Sequence, residues 1–245
     1  MIFKRVKIRF CYDGTFFYGS QIQKGKSLPT VMGTFKKALL NLGINETPQS
    51  SGRTDRGVHA LNQICHLNVP NFFFDLQRLK KKLNNFLSPH IYIKDIEFTR
   101  ANFHARFDAK SRVYRYIVSL SNYNPLLANY CTFIDKLDLN LINQGLKIFE
   151  GEHNFGFFKK QGANNRSDIR ILYRSFAYQK GNFVIIYFRG NSFLRSQIRL
   201  ICGFLFELDK KRLTLNDLKK QLDLETRVTT ALAPPNGLYL SKIYY

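Results

Sequence analysis

Apolar and polar residues alternate from the start of the chain. Val6, Ile8, Phe10 and Tyr12 fall between Lys7, Arg9 and Cys11, the two-residue period of a half-buried strand. Asp13-Gly14 predicts a turn. Pro29 and Thr30 open a helix with apolar Val31, Phe35, Ala38, Leu39 and Leu42, which Gly43 ends. A polar stretch follows, and then Cys65, Leu67 and Val69 alternate with His66 and Asn68 as a strand. A second helix begins near Asp75, carries Leu76, Leu79, Leu83 and Phe86, and stops at Ser88-Pro89. Residues 91–98 return as a strand.

The later half continues the mixture. Residues 112–120 read as a strand with Tyr114, Tyr116 and Val118 on one face. Asp138 precedes a helix carrying Leu141, Ile142, Leu146 and Phe149. Residues 169–178 and 183–189 form a hairpin across Lys180-Gly181-Asn182. An apolar helix follows with Leu194, Ile198, Ile201 and Leu205, and Arg195 and Arg199 share one of its faces at i, i+4. Pro234-Pro235 breaks the chain before a last strand. Strands joined by hairpins and single helices give an α+β class with mostly antiparallel sheets, in two similar halves dividing at 1–105 and 106–245.

Charge narrows the function. There are 38 Lys+Arg against 17 Asp+Glu, a formal net charge of +21. Self-repulsion on that scale is used for something, and a polyanion or an anionic membrane surface would use it. The basic residues are spread along the chain and interleaved with aromatics, as in Arg112-Val113-Tyr114-Arg115-Tyr116. Membrane binding would concentrate them in one helix or tail, so nucleic acid is the expected partner. The four cysteines contain no CxxC pair, which argues against a disulfide framework or zinc ribbon. With no signal-like or spanning segment, the cytosol is the expected location.

The chemistry gathers in Gly52-Arg53-Thr54-Asp55-Arg56-Gly57-Val58-His59. Two glycines permit a tight bend around a carboxylate, and two arginines beside it can meet phosphates. A lone Asp between arginines is usually a surface ion pair, so the loop by itself leaves its role open.

This segment resembles the active-site motif of the tRNA pseudouridine synthase A family, and the likeness recurs in order along nearly the whole chain. Tyr12-Asp13-Gly14-Thr15 with Phe17, Gly19 and Gln21 to Gln23 is similar to the family's N-terminal signature. Phe103-His104-Ala105-Arg106-Phe107, Tyr114-Arg115-Tyr116 and Gly151-Glu152-His153-Asn154-Phe155 follow. Asn191-Ser192-Phe193-Leu194 with Arg199, and residues 233–240, complete the series. The resemblance implies a pseudouridine synthase fold with helices flanking the sheets around a central basic cleft. It implies an enzyme that isomerises uridine in the anticodon stem-loop of tRNA (positions 38–40), without cofactor or metal, as a homodimer. Asp55 would be the catalytic carboxylate, Arg199 its partner, and Tyr114 the platform on which the target base stacks. Arg53 would assist extrusion of the nucleotide and Leu238 would line the base pocket. Arg56, where the family usually has a small residue, and Arg195 are candidate phosphate contacts. Ser20 stands where the family commonly has Trp, a change expected to alter packing more than chemistry.

Other residues have plainer readings. His59, Cys65 and His66 fit no zinc spacing, and packing explains them. Tyr116 is expected in the core and His153 in a loop or core contact, while Lys80-Lys81-Lys82 is a solvated face or part of an RNA track. A non-catalytic RNA-binding module is the competing function, weakened by the absence of an RRM aromatic signature. A metal-dependent nuclease lacks clustered carboxylates and ranks last.

Overall fold

The alternating N-terminal segment forms β1 (Phe3–Tyr12), with Val6, Ile8, Phe10 and Tyr12 buried as the period requires. The computed structural model describes residues 3–23, 25, 28–71, 73–162 and 166–245. Thr30 caps α1 (Val31–Leu40), its hydroxyl accepting from Gly33 N at 3.2 Å. Gly43 leaves that helix with φ +76°, a conformation that favours glycine. The short β2 (Gln49–Ser50) precedes β3 (His59–Pro70). Asp75 caps α2 (Leu76–Leu87) by accepting from Arg78 N at 2.8 Å, and β4 (Ile91–Phe98) follows. Next come β5 (Ser111–Ser119), β6 (Thr132–Phe133) and α3 (Leu139–Ile148), the last capped by Asp138. Then β7 (Gly151–Asn154), β8 (Ile169–Lys180) and β9 (Phe183–Gly190) lead to α4 (Gln197–Asp209) and α5 (Leu215–Leu222). The chain closes with β10 (Leu238–Tyr244).

Contacts divide the chain into two compact units, residues 1–110 with 239–245, and residues 111–238. The sequence suggested a single division after residue 105; here the closing segment, 239–245, groups with the first unit. In that unit β1 pairs antiparallel with β3 on one side and β4 on the other. On its far edge β3 carries β2 antiparallel and β10 parallel, with Tyr239 opposite His59. The core joins Ile8 and Phe10 to Phe35 and Leu39 of α1 and to Leu79 and Leu83 of α2. Phe10 and Phe35 meet at 5.4 Å between ring centres.

In the second unit the sheet order is β5-β9-β8-β7, all antiparallel, with β6 parallel to β5. The hairpin turns where expected, Lys180 facing Phe183 and Gly181 taking φ +58°. Helices α3 and α4 approach closely at Gly145, where a Cβ would stand 2.7 Å from Leu205 Cδ2. Phe149, Phe155, Phe158 and Phe204 are fully buried there, as is Tyr116, in the core as expected. The α+β class with mostly antiparallel strands and flanking helices therefore holds in each unit.

Two local expectations need correction. The buried face of α2 is Leu79, Leu83 and Leu87, the last 2 % exposed, while Phe86 is 47 % exposed. Arg195 does not share a helical face with Arg199: α4 starts at Gln197, after Ser196 at φ +59°. That left-handed residue interrupts the helical period, leaving Arg195 exposed on the approach. Helix α5, absent from the sequence pattern above, starts at a Thr214-x-x-Asp217 capping box, a local signal. Among the described residues no helix is long and apolar enough to cross a membrane.

Candidate active site

In the first unit, residues 51–58 form a loop entering β3, held at several backbone points. Ser51 N donates to Ile64 O at 2.8 Å and Ser51 Oγ to Gln63 Oε1 at 2.6 Å. Gln63 is fully buried and its Nε2 donates to Gly52 O at 3.1 Å. Thr54 N donates to Ser20 Oγ at 2.8 Å, and Ser20 N donates to Thr54 O at 3.1 Å. The Thr54 and Tyr12 hydroxyls share a hydrogen bond of 2.9 Å. Burial pushes the Tyr12 phenol up to about 12, so it stays neutral.

Beyond Thr54 the loop turns at Asp55, whose carbonyl accepts from Val58 N at 3.2 Å, and Gly57 supplies φ +77°. Asp55 is half-buried, whereas Arg53 and Arg56 are exposed. The Arg56 guanidinium lies 4.3 Å from the centre of the Tyr18 ring, a cation–π contact. Behind the loop, Gly14 N donates to His59 Nδ1 at 3.1 Å, and the buried His59 ring stacks on Tyr239 at 4.7 Å. The Gly14 backbone lies so close to Val58 that a Cβ would meet its carbonyl oxygen at 2.2 Å. The result is a carboxylate at the tip of a loop whose flanks are pinned to β1, β3 and residues 14–20.

The remaining candidates lie in the second unit. Tyr114, on β5, is 9 % exposed and meets Phe193 edge-on at 5.2 Å. Arg199, in the first turn of α4, donates from Nε to Ala233 O at 2.8 Å, and Ala233 N donates back to Arg199 O at 3.0 Å. Gly203 permits that approach, since a Cβ there would meet Ala231 O at 2.1 Å. Leu238 is buried after a 3₁₀ turn, Pro235–Gly237. That turn is fixed by Tyr116 OH donating to Pro234 O at 2.8 Å, and by Asn236 Nδ2 donating to Ala128 O at 2.6 Å. Arg53, Asp55 and Arg56 thus share one loop of the first unit, while Tyr114, Arg195, Arg199 and Leu238 belong to the second.

The plainly read residues have structural partners. His66 Nδ1 accepts from Ala105 N at 3.1 Å, and burial, helped by His104 and Arg5, lowers its imidazole to about 4. His153 Nε2 lies 3.0 Å from Glu150 O, and Lys80 Nζ donates to Lys94 O at 2.7 Å. All four cysteines are free, and the described residues contain no group of three His, Cys, Asp or Glu able to hold a metal ion. Sequence reading missed Ser20 as a hydrogen-bonding residue. Its place beside Gly19 in the N-terminal signature was the available signal, but its partner is 34 positions away.

Comparison with known proteins adds the family. A family model described as tRNA pseudouridine synthase matches residues 146–245. A tRNA pseudouridine synthase A of Campylobacter jejuni is 40% identical over 241 residues, spanning 98% of this chain and 100% of the relative. That of Wolinella succinogenes is 37% identical over 234 residues, 96% of this chain and 92% of the relative. That of Onion yellows phytoplasma is 36% identical over 241 residues, 98% of each. Identity at this level spans nearly the whole chain, and the chain belongs to the tRNA pseudouridine synthase A family.

Proposed function

We propose that Asp55 is the catalytic carboxylate of a tRNA-modifying isomerase and that the loop's backbone anchors serve to aim it. The chain is a tRNA pseudouridine synthase, an isomerase, and a purely non-catalytic RNA-binding role is not favoured. Pseudouridine formation breaks the N1–C1′ bond of uridine, turns the uracil, and joins C5 to C1′. The proton on C5 leaves and N1 gains one, so atoms and electrons balance without a redox partner. A carboxylate serves this chemistry either by adding at C1′ or by taking part in proton transfer through a glycal-type intermediate.

The observation that carries the reading is the half-buried carboxylate on a loop held at residues 51, 54, 55 and 58. A reacting group held in place contributes more than one that must be ordered in each turnover. The target base lies in a stem or stack and must be swung out, at a cost of a few kcal/mol. Stacking on an aromatic ring such as Tyr114 offsets roughly 1–3 kcal/mol of that. On the same reading Arg199 serves as the acid's cationic partner, Arg53 assists extrusion, and Leu238 supplies an apolar wall that retains the detached uracil. Arg56 and Arg195, both exposed, suit contacts to phosphate. The net charge of +21 suits a tRNA partner bound chiefly through its backbone. Action at the anticodon stem-loop, a cytosolic location and assembly as a homodimer are carried from the family resemblance.

The test is product formation. Purified protein is incubated with unmodified tRNA without added metal, and pseudouridine is mapped chemically. Asp55→Asn should abolish product while tRNA affinity stays within a few-fold, because the change removes the carboxylate's chemistry and few phosphate contacts. Product at the normal rate from Asp55→Asn would show the assignment to be wrong.

A further inference from the structure

We infer that Tyr18, Gly19 and Ser20 form a clamp that sets the aim of Asp55, with Ser20 as its principal positioning residue. The inference rests on the assignment of Asp55 above. Ser20 grips the backbone of Thr54 at both ends, its Oγ accepting from Thr54 N at 2.8 Å and its N donating to Thr54 O at 3.1 Å. The second of these bonds lands on the peptide that leads directly into Asp55. On the other side of the acid, Tyr18 holds Arg56 through the 4.3 Å cation–π contact. One three-residue segment therefore holds the neighbours of Asp55 on both sides.

Gly19 lets the segment lie flat against the loop. It takes φ +92°, and a Cβ there would stand 3.1 Å from Thr54 O and 3.6 Å from Arg56 N. The clamp also has a firm base. Val31 N donates to Gly19 O at 3.3 Å and Met32 N to Ser20 O at 2.9 Å. These are first-turn N–H groups of α1, which have no partner within the helix. Tyr18 N is tied in turn to Pro29 O at 2.8 Å. Position is thus passed from the start of α1 to the peptide before Asp55 without a freely rotating link.

The side chain at position 20 matters because Thr54 N is enclosed. Ser20 is 1 % exposed and Thr54 is buried, so an N–H left without an acceptor there is costly. An indole in its place would donate and could not accept. The serine therefore makes a bond that a tryptophan cannot, and the second departure in this chain, Arg56, is held by the adjoining Tyr18. The two departures act on the same loop from opposite sides of the acid.

Single-turnover kinetics at saturating enzyme, with tRNA binding measured separately, test the clamp. Ser20→Ala should slow conversion about 10- to 100-fold, as expected for a slightly misplaced reactive group, with Kd for tRNA within threefold. Ser20→Thr keeps the hydroxyl and should recover most of the rate, which a merely space-filling role would not require. Tyr18→Leu removes the ring beneath Arg56 at a partly exposed position and should slow conversion several-fold. Wild-type rates in Ser20→Ala would overturn the inference. Should Ser20→Ala fail to fold, judged by circular dichroism, a wild-type rate in Tyr18→Leu would overturn it instead. Asp55→Asn run in parallel separates the two levels. If that variant is active, the assignment of Asp55 falls; if it is inactive while the clamp variants run at full speed, only the clamp falls.

Discussion

Gly14→Ala tests whether the rear support of the Asp55 loop governs the reaction. The added Cβ would lie 2.2 Å from Val58 O, 2.5 Å from Val58 C and 2.9 Å from Gly57 C. Ordinary contact begins near 3.4 Å, so the two backbones must part by about an ångström. No flexible side-chain tip is available to yield, because every clashing atom is backbone. Residues 13–16 are held by the Asp13 cap on Thr15 N at 3.0 Å and by Asp13 N donating to His90 O at 3.0 Å. Movement therefore falls on residues 55–58, where Val58 N is bonded to Asp55 O. Misplacing a reactive group by about 1 Å costs on the order of 100-fold in rate, and overpacking costs about 1–3 kcal/mol of stability. Single-turnover conversion of unmodified tRNA, alongside urea unfolding and tRNA binding, reads all three quantities. The expected result is a rate lowered about 100-fold with little change in affinity. Gly43→Ala is the control: its φ is +76° but nothing lies within 4 Å of a Cβ, so it should lose about 1 kcal/mol from strain alone and keep full activity. A Gly14→Ala protein with normal rate and normal stability would refute the claimed tightness of this packing.

His66 should make the protein sensitive to acid. Its folded value of about 4 lies below the ordinary 6.5 because burial, then the neighbouring His104 and Arg5, disfavour the charged ring. The unfolded chain therefore takes up the proton first, so this contribution is complete above about pH 6.5 and is lost as pH falls toward 4. Between pH 7 and 5 the loss is about 2 kcal/mol at most, and nearer 1 after allowance for solvent screening. Urea unfolding of wild type and His66→Gln at both pH values should show a shallower pH dependence in the variant; equal slopes would remove His66 from the account. Binding of tRNA should weaken steeply between low and physiological salt, since phosphate neutralisation releases counterions. An affinity indifferent to salt would rule out a basic RNA-binding surface.

Local pattern determined much of this protein. Period-two alternation specifies β1, and Thr30, Asp75 and Asp138 mark helix starts where the structure has their caps. The glycine-bracketed motif located the candidate acid loop because its residue types are contiguous. What the tertiary structure decided involves partners far apart in the chain. Whether β10 adds to β3 cannot be read from either strand, since each only advertises an apolar face and a free edge. Burial along β3 also departs from simple alternation: Gln63, Ile64, Cys65, His66 and Leu67 are all buried, and His66 is covered by distant residues 103–105 through Ala105 N and the rings of Phe103 and His104. Ser196 shows the same limit at short range, a left-handed residue with no glycine to announce it, and it moves Arg195 off the helix. Ser20 shows it most clearly. By residue type it looked like a small replacement affecting packing, and only the fold presents its hydroxyl to an enclosed N–H of Thr54. Periods, caps and turns are properties of neighbours and are written locally; which donor meets which acceptor across tens of residues is settled when the chain closes on itself.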